Sequence, residues 1–142
     1  MKAIIASLVP IMATSIAFAS NWAQVALYAD GTRLLVDTAS ISTSGKYRKG
    51  WFKFIALQSA DLPDGAIPNT SVPPGQGFTY IVELFYAKCA QHRVALVQGN
   101  FYGADDSLLG TIATTAVNHA EFEEAPPGGV ADAIVRSLCK SQ

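Results

Sequence analysis

Hydrophobic and polar residues alternate with a period of two from Trp22 to about His119, and a helical period appears only near the C-terminus. Trp22–Tyr28 reads as a strand, Asp30-Gly31 as a turn, and Thr32–Asp37 as a second strand. Ser40–Gly45 is rich in Ser, Thr and Gly and reads as a turn or loop, leading into an aromatic and β-branched strand over Tyr47–Leu57. Between Asp61 and Gly77 four prolines and three glycines interrupt the alternation, so no regular pairing is expected there.

Phe78–Cys89 carries the clearest strand pattern. Phe78, Tyr80, Val82, Leu84 and Tyr86 share one face, and Thr79, Ile81, Glu83, Phe85, Ala87 and Cys89 the other. Both faces are largely apolar, as in a central strand covered on at least part of each side. Ala90-Gln91 turns the chain into a fifth strand over His92–Tyr102, and Gly103–Ser107 turns it into a sixth over Leu108 to about Val117.

From Val130 the period changes. Val130, Ala131, Ile134, Val135, Leu138 and Cys139 form one apolar stripe at helical spacing, after the breaker Pro126-Pro127-Gly128-Gly129. That breaker supplies no side-chain cap. Asp132 near the start and Arg136 and Lys140 near the end complement the helix dipole. The expected architecture is α+β: roughly six antiparallel strands with one C-terminal helix on a face.

The first nineteen residues stand apart from this pattern. Met1-Lys2 is a short positive start, Ala3–Ile16 is almost wholly apolar, and Ala17-Phe18-Ala19 is an A-x-A cleavage signal. These are the parts of a secretory signal peptide, too short for a membrane span. The expected organisation is therefore a leader over residues 1–19 and one domain over residues 20–142. No second long apolar run follows, and no cysteine at the cleavage site is present to accept lipid, so neither a transmembrane segment nor a lipid anchor is expected. The implied location is the periplasm or the exterior.

Ten Lys and Arg face eleven Asp and Glu, a formal net charge of −1. A nucleic-acid binder ordinarily shows a basic excess, so that class of partner is not expected. The two cysteines, Cys89 and Cys139, form an even pair, which in an oxidising compartment reads as a disulfide. A reactive or metal-binding pair is the alternative, although neither cysteine lies in a C-x-x-C. A bridge would fasten the helix to the strand that carries Ile81 and Phe85.

Several of these features in order resemble the surface-adhesin E family of exported Gram-negative bacterial proteins. They are Asp37-Thr38-Ala39-Ser40-Ile41 followed by Trp51; Cys89 with Arg93; Tyr102 with Asp106 and Leu108; and Pro126 before a helix ending in Leu138-Cys139-Lys140. The resemblance implies a six-stranded antiparallel sheet tied to a C-terminal helix by a Cys89–Cys139 bridge, and an adhesive activity toward host matrix and plasma proteins. The Asp61–Gly77 loop is longer than the family's usual connection there. No family binding motif maps onto particular residues of this chain.

Candidate sites are few. Lys46, Arg48, Lys49 and Lys53 are interleaved with Tyr47, Trp51 and Phe52, a mixture suited to an anionic glycan, lipopolysaccharide or a nucleic-acid strand. Alternation puts Lys49 and Lys53 opposite to Arg48, which argues against one continuous patch. A solvated hairpin end is the plainer reading. Glu121, Glu123 and Glu124 lie near His119; Glu121 and Glu123 would share a face on an extended segment, as an acid/base pair would require, and His119 with a carboxylate is the metal-binding alternative. His92 follows Cys89 at a ligand-like spacing, but a disulfide would remove that sulfur from any zinc site. Trp51, Phe52, Phe54, Tyr80, Phe85 and Tyr86 are most simply core, with a subset lining a ligand groove as the alternative. No catalytic, phosphate-loop or haem-attachment motif is present, and no cofactor or metal is implied.

These readings favour a non-enzymatic exported binding module. It would use the sheet face away from the helix, with the Asp61–Gly77 loop beside it, to recognise a host matrix protein, an envelope protein or an anionic glycan. A periplasmic accessory protein without adhesive role is the second reading, and a hydrolase at Glu121–Glu124 a remote third.

Overall fold

The computed structural model describes residues 19–140. The leader assigned to residues 1–19 therefore lies outside the described residues, save for Ala19. An antiparallel sheet is built from β1 (Trp22–Leu27), β2 (Arg33–Asp37), β3 (Ser42–Ser44), β4 (Tyr47–Ala60), β5 (Ile67–Pro68), β6 (Phe78–Lys88), β7 (Arg93–Tyr102), β8 (Leu108–Ile112) and β9 (Glu123–Glu124), followed by α1 (Val130–Cys139). The strand order is β1-β2-β4-β6-β7-β8-β5, with β3 paired to β4 and β9 to β7. No helix among the described residues is long and apolar enough to cross a membrane.

The α+β architecture is as the periodicity indicates, but the described residues hold nine strands rather than six. The three additions are short. Ser42–Ser44 folds back on β4 around Gly45, whose φ of 58° suits glycine, so part of the expected loop is a hairpin arm. Within the proline-rich segment, Ile67 and Pro68 pair with Thr111 and Gly110 of β8, at the sheet's edge where a missing amide is tolerated. Glu123 and Glu124 pair with Val94 and Arg93. Boundaries differ too: β4 continues past Leu57 to Ala60, and β8 stops at Ile112 instead of Val117. His92 is not the first residue of its strand. It sits in the left-handed region, φ 51°, closing a 3-10 turn over Cys89–Gln91.

The Asp37–Ile41 motif has a clear structural task. The Asp37 carboxylate accepts from the amides of Asn21 and Ala39, and Ser40 Oγ donates to the Asp37 carbonyl while accepting the Trp51 amide at 2.8 Å. This 3-10 turn thereby links β1, β2 and β4.

α1 covers one face of the sheet. Ile134, Val135 and Leu138 pack on Leu34, Val36, Phe52, Ala87 and Val94, all buried. Gly50 lets the helix approach, since a Cβ there would stand 2.8 Å from Leu138 Cδ2. The Cys89–Cys139 disulfide ties the last helical residue to the end of β6, with Cα atoms 5.7 Å apart. The reactive or metal-binding alternative for that pair is thereby removed. Of the expected apolar stripe, Val130 is 40% exposed, while Asp132 is only 3% exposed. Asp132 lies in the first helical turn, as the dipole reading has it, and is buried there.

Candidate binding face of the sheet

The Lys46–Lys53 run is divided by the pleat, because successive side chains of a strand point to opposite faces. Arg48 lies on the helix side, where its Nε donates to the Leu138 carbonyl at 3.0 Å and its guanidinium also reaches Thr43 Oγ1. It therefore fastens the helix C-terminus. Lys49, Trp51 and Lys53 lie on the other face, in register with Tyr86, Leu84 and Val82 of β6. Lys46 is exposed at the hairpin end, its Nζ 5.4 Å from the Tyr47 ring centroid.

On that helix-free face Lys53 is held between two rings, 4.7 Å from Trp22 and 4.9 Å from Tyr80. Tyr80 in turn stacks on Tyr102 at 5.0 Å. The row Trp22–Lys53–Tyr80–Tyr102 thus crosses the sheet from β1 to β7. A parallel arrangement runs nearer the hairpin: Lys49 lies 5.9 Å from Tyr86, Tyr47 stacks on Phe122, and Lys88 sits 4.2 Å over Phe122. Cations over ring faces gain electrostatically from the ring quadrupole. The Tyr80 hydroxyl donates to Asp106 at 2.7 Å. Burial first, and that hydrogen bond second, push it up to about 12, so it stays protonated and donating at physiological pH.

Charge is segregated by face. In β2, β4 and β6 the helix-free side presents Arg33, Lys49, Lys53 and Lys88, while its one acid, Asp37, is buried and occupied by backbone amides. Phe52, Phe54 and Phe85 belong to or pack on the core, as expected for aromatics, whereas Trp51, Tyr80 and Tyr86 are half-exposed on the lysine side. The sequence reading placed Tyr80 and Tyr86 in the core or a ligand groove, and did not include Trp22, Lys88, Tyr102 and Phe122 among the site residues. The alternation of Phe78–Tyr86 signalled the shared face of Tyr80 and Tyr86, but only the register brings Trp22 and Tyr102 to Lys53.

The acidic group is placed elsewhere. His119, Glu121 and Glu123 line a groove of about 710 Å³ beside the helix, while Glu124 pairs across the edge from Arg93. No group of three His, Cys, Asp or Glu suited to a metal occurs among the described residues. His92 makes its contact with Asp132, at 2.8 Å, and Cys89 is oxidised, so the Cys89–His92 spacing forms no zinc site.

The family model for Surface-adhesin protein E matches residues 22–140, from the first strand to the helix end. No match is found among curated proteins.

Proposed function

This chain belongs to the Surface-adhesin protein E family, and from that premise we propose that it is an exported, non-catalytic binding protein whose recognition surface is the helix-free face of the sheet. The observation that carries this reading is the row Trp22–Lys53–Tyr80–Tyr102, in which a cation and three half-exposed aromatics are fixed side by side on rigid strands. Aromatic rings offer flat apolar area at low entropic cost, and lysines offer attraction for an acidic partner. The partner proposed is an anionic macromolecular surface, such as an acidic or glycan-bearing region of a host matrix protein.

The reading is tested in two steps. Protease is added to intact producing cells, with a periplasmic protein as control; removal of the chain alone supports exposure at the surface. Purified protein is then titrated on immobilised matrix proteins at increasing salt. Binding that weakens with salt and is lost in Lys49→Gln/Lys53→Gln supports the face. Protection until the outer membrane is opened overturns the adhesive reading in favour of a periplasmic accessory role.

A further inference from the structure

The outer side of β7 is paired at both ends and open in the middle. β8 pairs with the stretch from Gly99 to Tyr102, and β9 with Arg93 and Val94. Between those ladders the chain leaves the sheet as an arch. The Thr115 amide donates to the Val97 carbonyl at 2.9 Å, and the next ladder contact is made only at Glu123. Leu96 thus has no strand beside it on that side, and no side-chain hydrogen bond reaches it among the described residues, while Ala95 next to it is only 2% exposed. They border the groove of about 710 Å³ that the arch spans.

Three properties of this groove call for different parts of one ligand. Phe85, Leu96 and Ile134 give it an apolar floor. Glu121 and Glu123, both exposed, stand on its rim, and no Lys or Arg lines it. The outer edge of β7 at Leu96, between the Val94–Glu123 pair and the Thr115 contact at Val97, is free for a strand-like partner, the basis of recognition by strand addition.

We propose that this groove binds a short extended peptide segment of another protein, in which an apolar residue is flanked by lysine or arginine. Two or three residues, roughly 7–10 Å at strand rise, suffice to pass Leu96 between Val94 and Val97. The apolar side chain enters between Phe85 and Ile134, and the flanking cations meet Glu121 and Glu123. The site lies away from the lysine face and is independent of the adhesive reading, since Glu123 is on the helix side and Lys49 and Lys53 are not.

The test is amide chemical-shift mapping on ¹⁵N-labelled protein at physiological salt. The probes are an acetylated, amidated Lys-Leu-Lys-Leu-Lys peptide, its Glu-Leu-Glu-Leu-Glu counterpart, and dodecylammonium. The lysine peptide is expected to shift Ala95, Leu96 and Ala131, the glutamate peptide to leave them unmoved, and Glu121→Gln/Glu123→Gln to weaken binding at least fivefold while keeping the native spectrum. Absence of shifts at millimolar lysine peptide, shifts on the Lys49–Lys53 face instead, or equal affinity in the double variant overturns the proposal. A response to dodecylammonium without one to the peptide also overturns it, and assigns the groove to small cationic amphiphiles.

Discussion

His92 Nε2 lies 2.8 Å from Asp132 Oδ1, so one short turn, Cys89–His92, holds α1 at both ends. Its disulfide takes the last helical residue, Cys139, and its histidine takes the third, Asp132. The buried Asp132 carboxylate also accepts from the Gly128 amide and from Arg136. It thereby serves a helix start that has glycine at the N-cap and no side-chain cap of its own.

The Asp132 carboxyl is held well below the usual carboxylate range, by Arg136 foremost and then by the Gly128 amide and His92. A depressed carboxylate stabilises the fold above its unfolded value, about 4, and that contribution is lost as pH falls toward the folded value. Asp132→Asn is therefore expected to unfold at lower urea than the parent at pH 6 and to show a shallower loss of stability below pH 4. Urea titrations across pH 2–7 check this; an unchanged acid slope in the variant contradicts it.

Glu83 has the opposite dependence. It lies on the helix side of β6 opposite Phe52, makes no side-chain hydrogen bond among the described residues, and is pushed up to about 7 by burial. The folded state then binds its proton more tightly than the unfolded chain, so stability declines as pH rises from about 4.5 to about 7. The shift corresponds to a cost on the order of 3 kcal/mol above that window. Glu83→Gln is expected to flatten the decline and to raise the melting temperature at pH 8. A parent whose stability is constant between pH 4.5 and 7 rules the effect out.

Gly50→Ala places a Cβ 2.8 Å from Leu138 Cδ2, beneath the helix. Overpacking of this kind costs about 1–3 kcal/mol. Chemical denaturation should show that loss, and Gly50→Ala/Leu138→Ala should lose less than the sum of its two single changes. Additivity in the double variant would mean the two side chains do not meet.

The Cys89–Cys139 bridge closes a loop with a sequence separation of 50. In the chain-entropy account such a closure stabilises by about 4 kcal/mol. Native mass spectrometry is expected to find no free thiol, and Cys89→Ser/Cys139→Ser to lower the melting temperature by well over ten degrees, as about 4 kcal/mol implies for a chain of this size. Equal melting temperatures for the parent with and without reductant would exclude this contribution.

Lys53→Met removes the charge between Trp22 and Tyr80 but keeps an apolar stem over both rings. Stability is expected to change by about 1 kcal/mol or less, as for exposed cation–π pairs, whereas affinity for an acidic partner falls and its salt dependence becomes weaker. The same affinity and salt slope as the parent would detach Lys53 from recognition.

The strands over Trp22–Leu27, Arg33–Asp37 and Phe78–Lys88, β4 as far as Leu57, and the helix from Val130 were legible because each repeats its own period long enough to declare itself. The even cysteine pair and the opposed faces of Arg48 and Lys49 were legible for the same local reasons. Three short strands were not. Ser42–Ser44, Ile67–Pro68 and Glu123–Glu124 have two or three residues each, too few to show a period, and exist because a longer neighbour offers its edge.

What the sequence by itself determined is which side chains share a face: Tyr80 with Tyr86, Phe85 with Ala87, Glu121 with Glu123. Which face is covered was decided by tertiary structure, when Leu138 came down over Gly50 and left Lys53 uncovered. Alternation is a property of neighbouring residues. The burial of Asp132, the row from Trp22 to Tyr102 and the open edge at Leu96 depend on strands and a helix that meet only after the whole sheet has assembled, because their contacts join residues tens of positions apart.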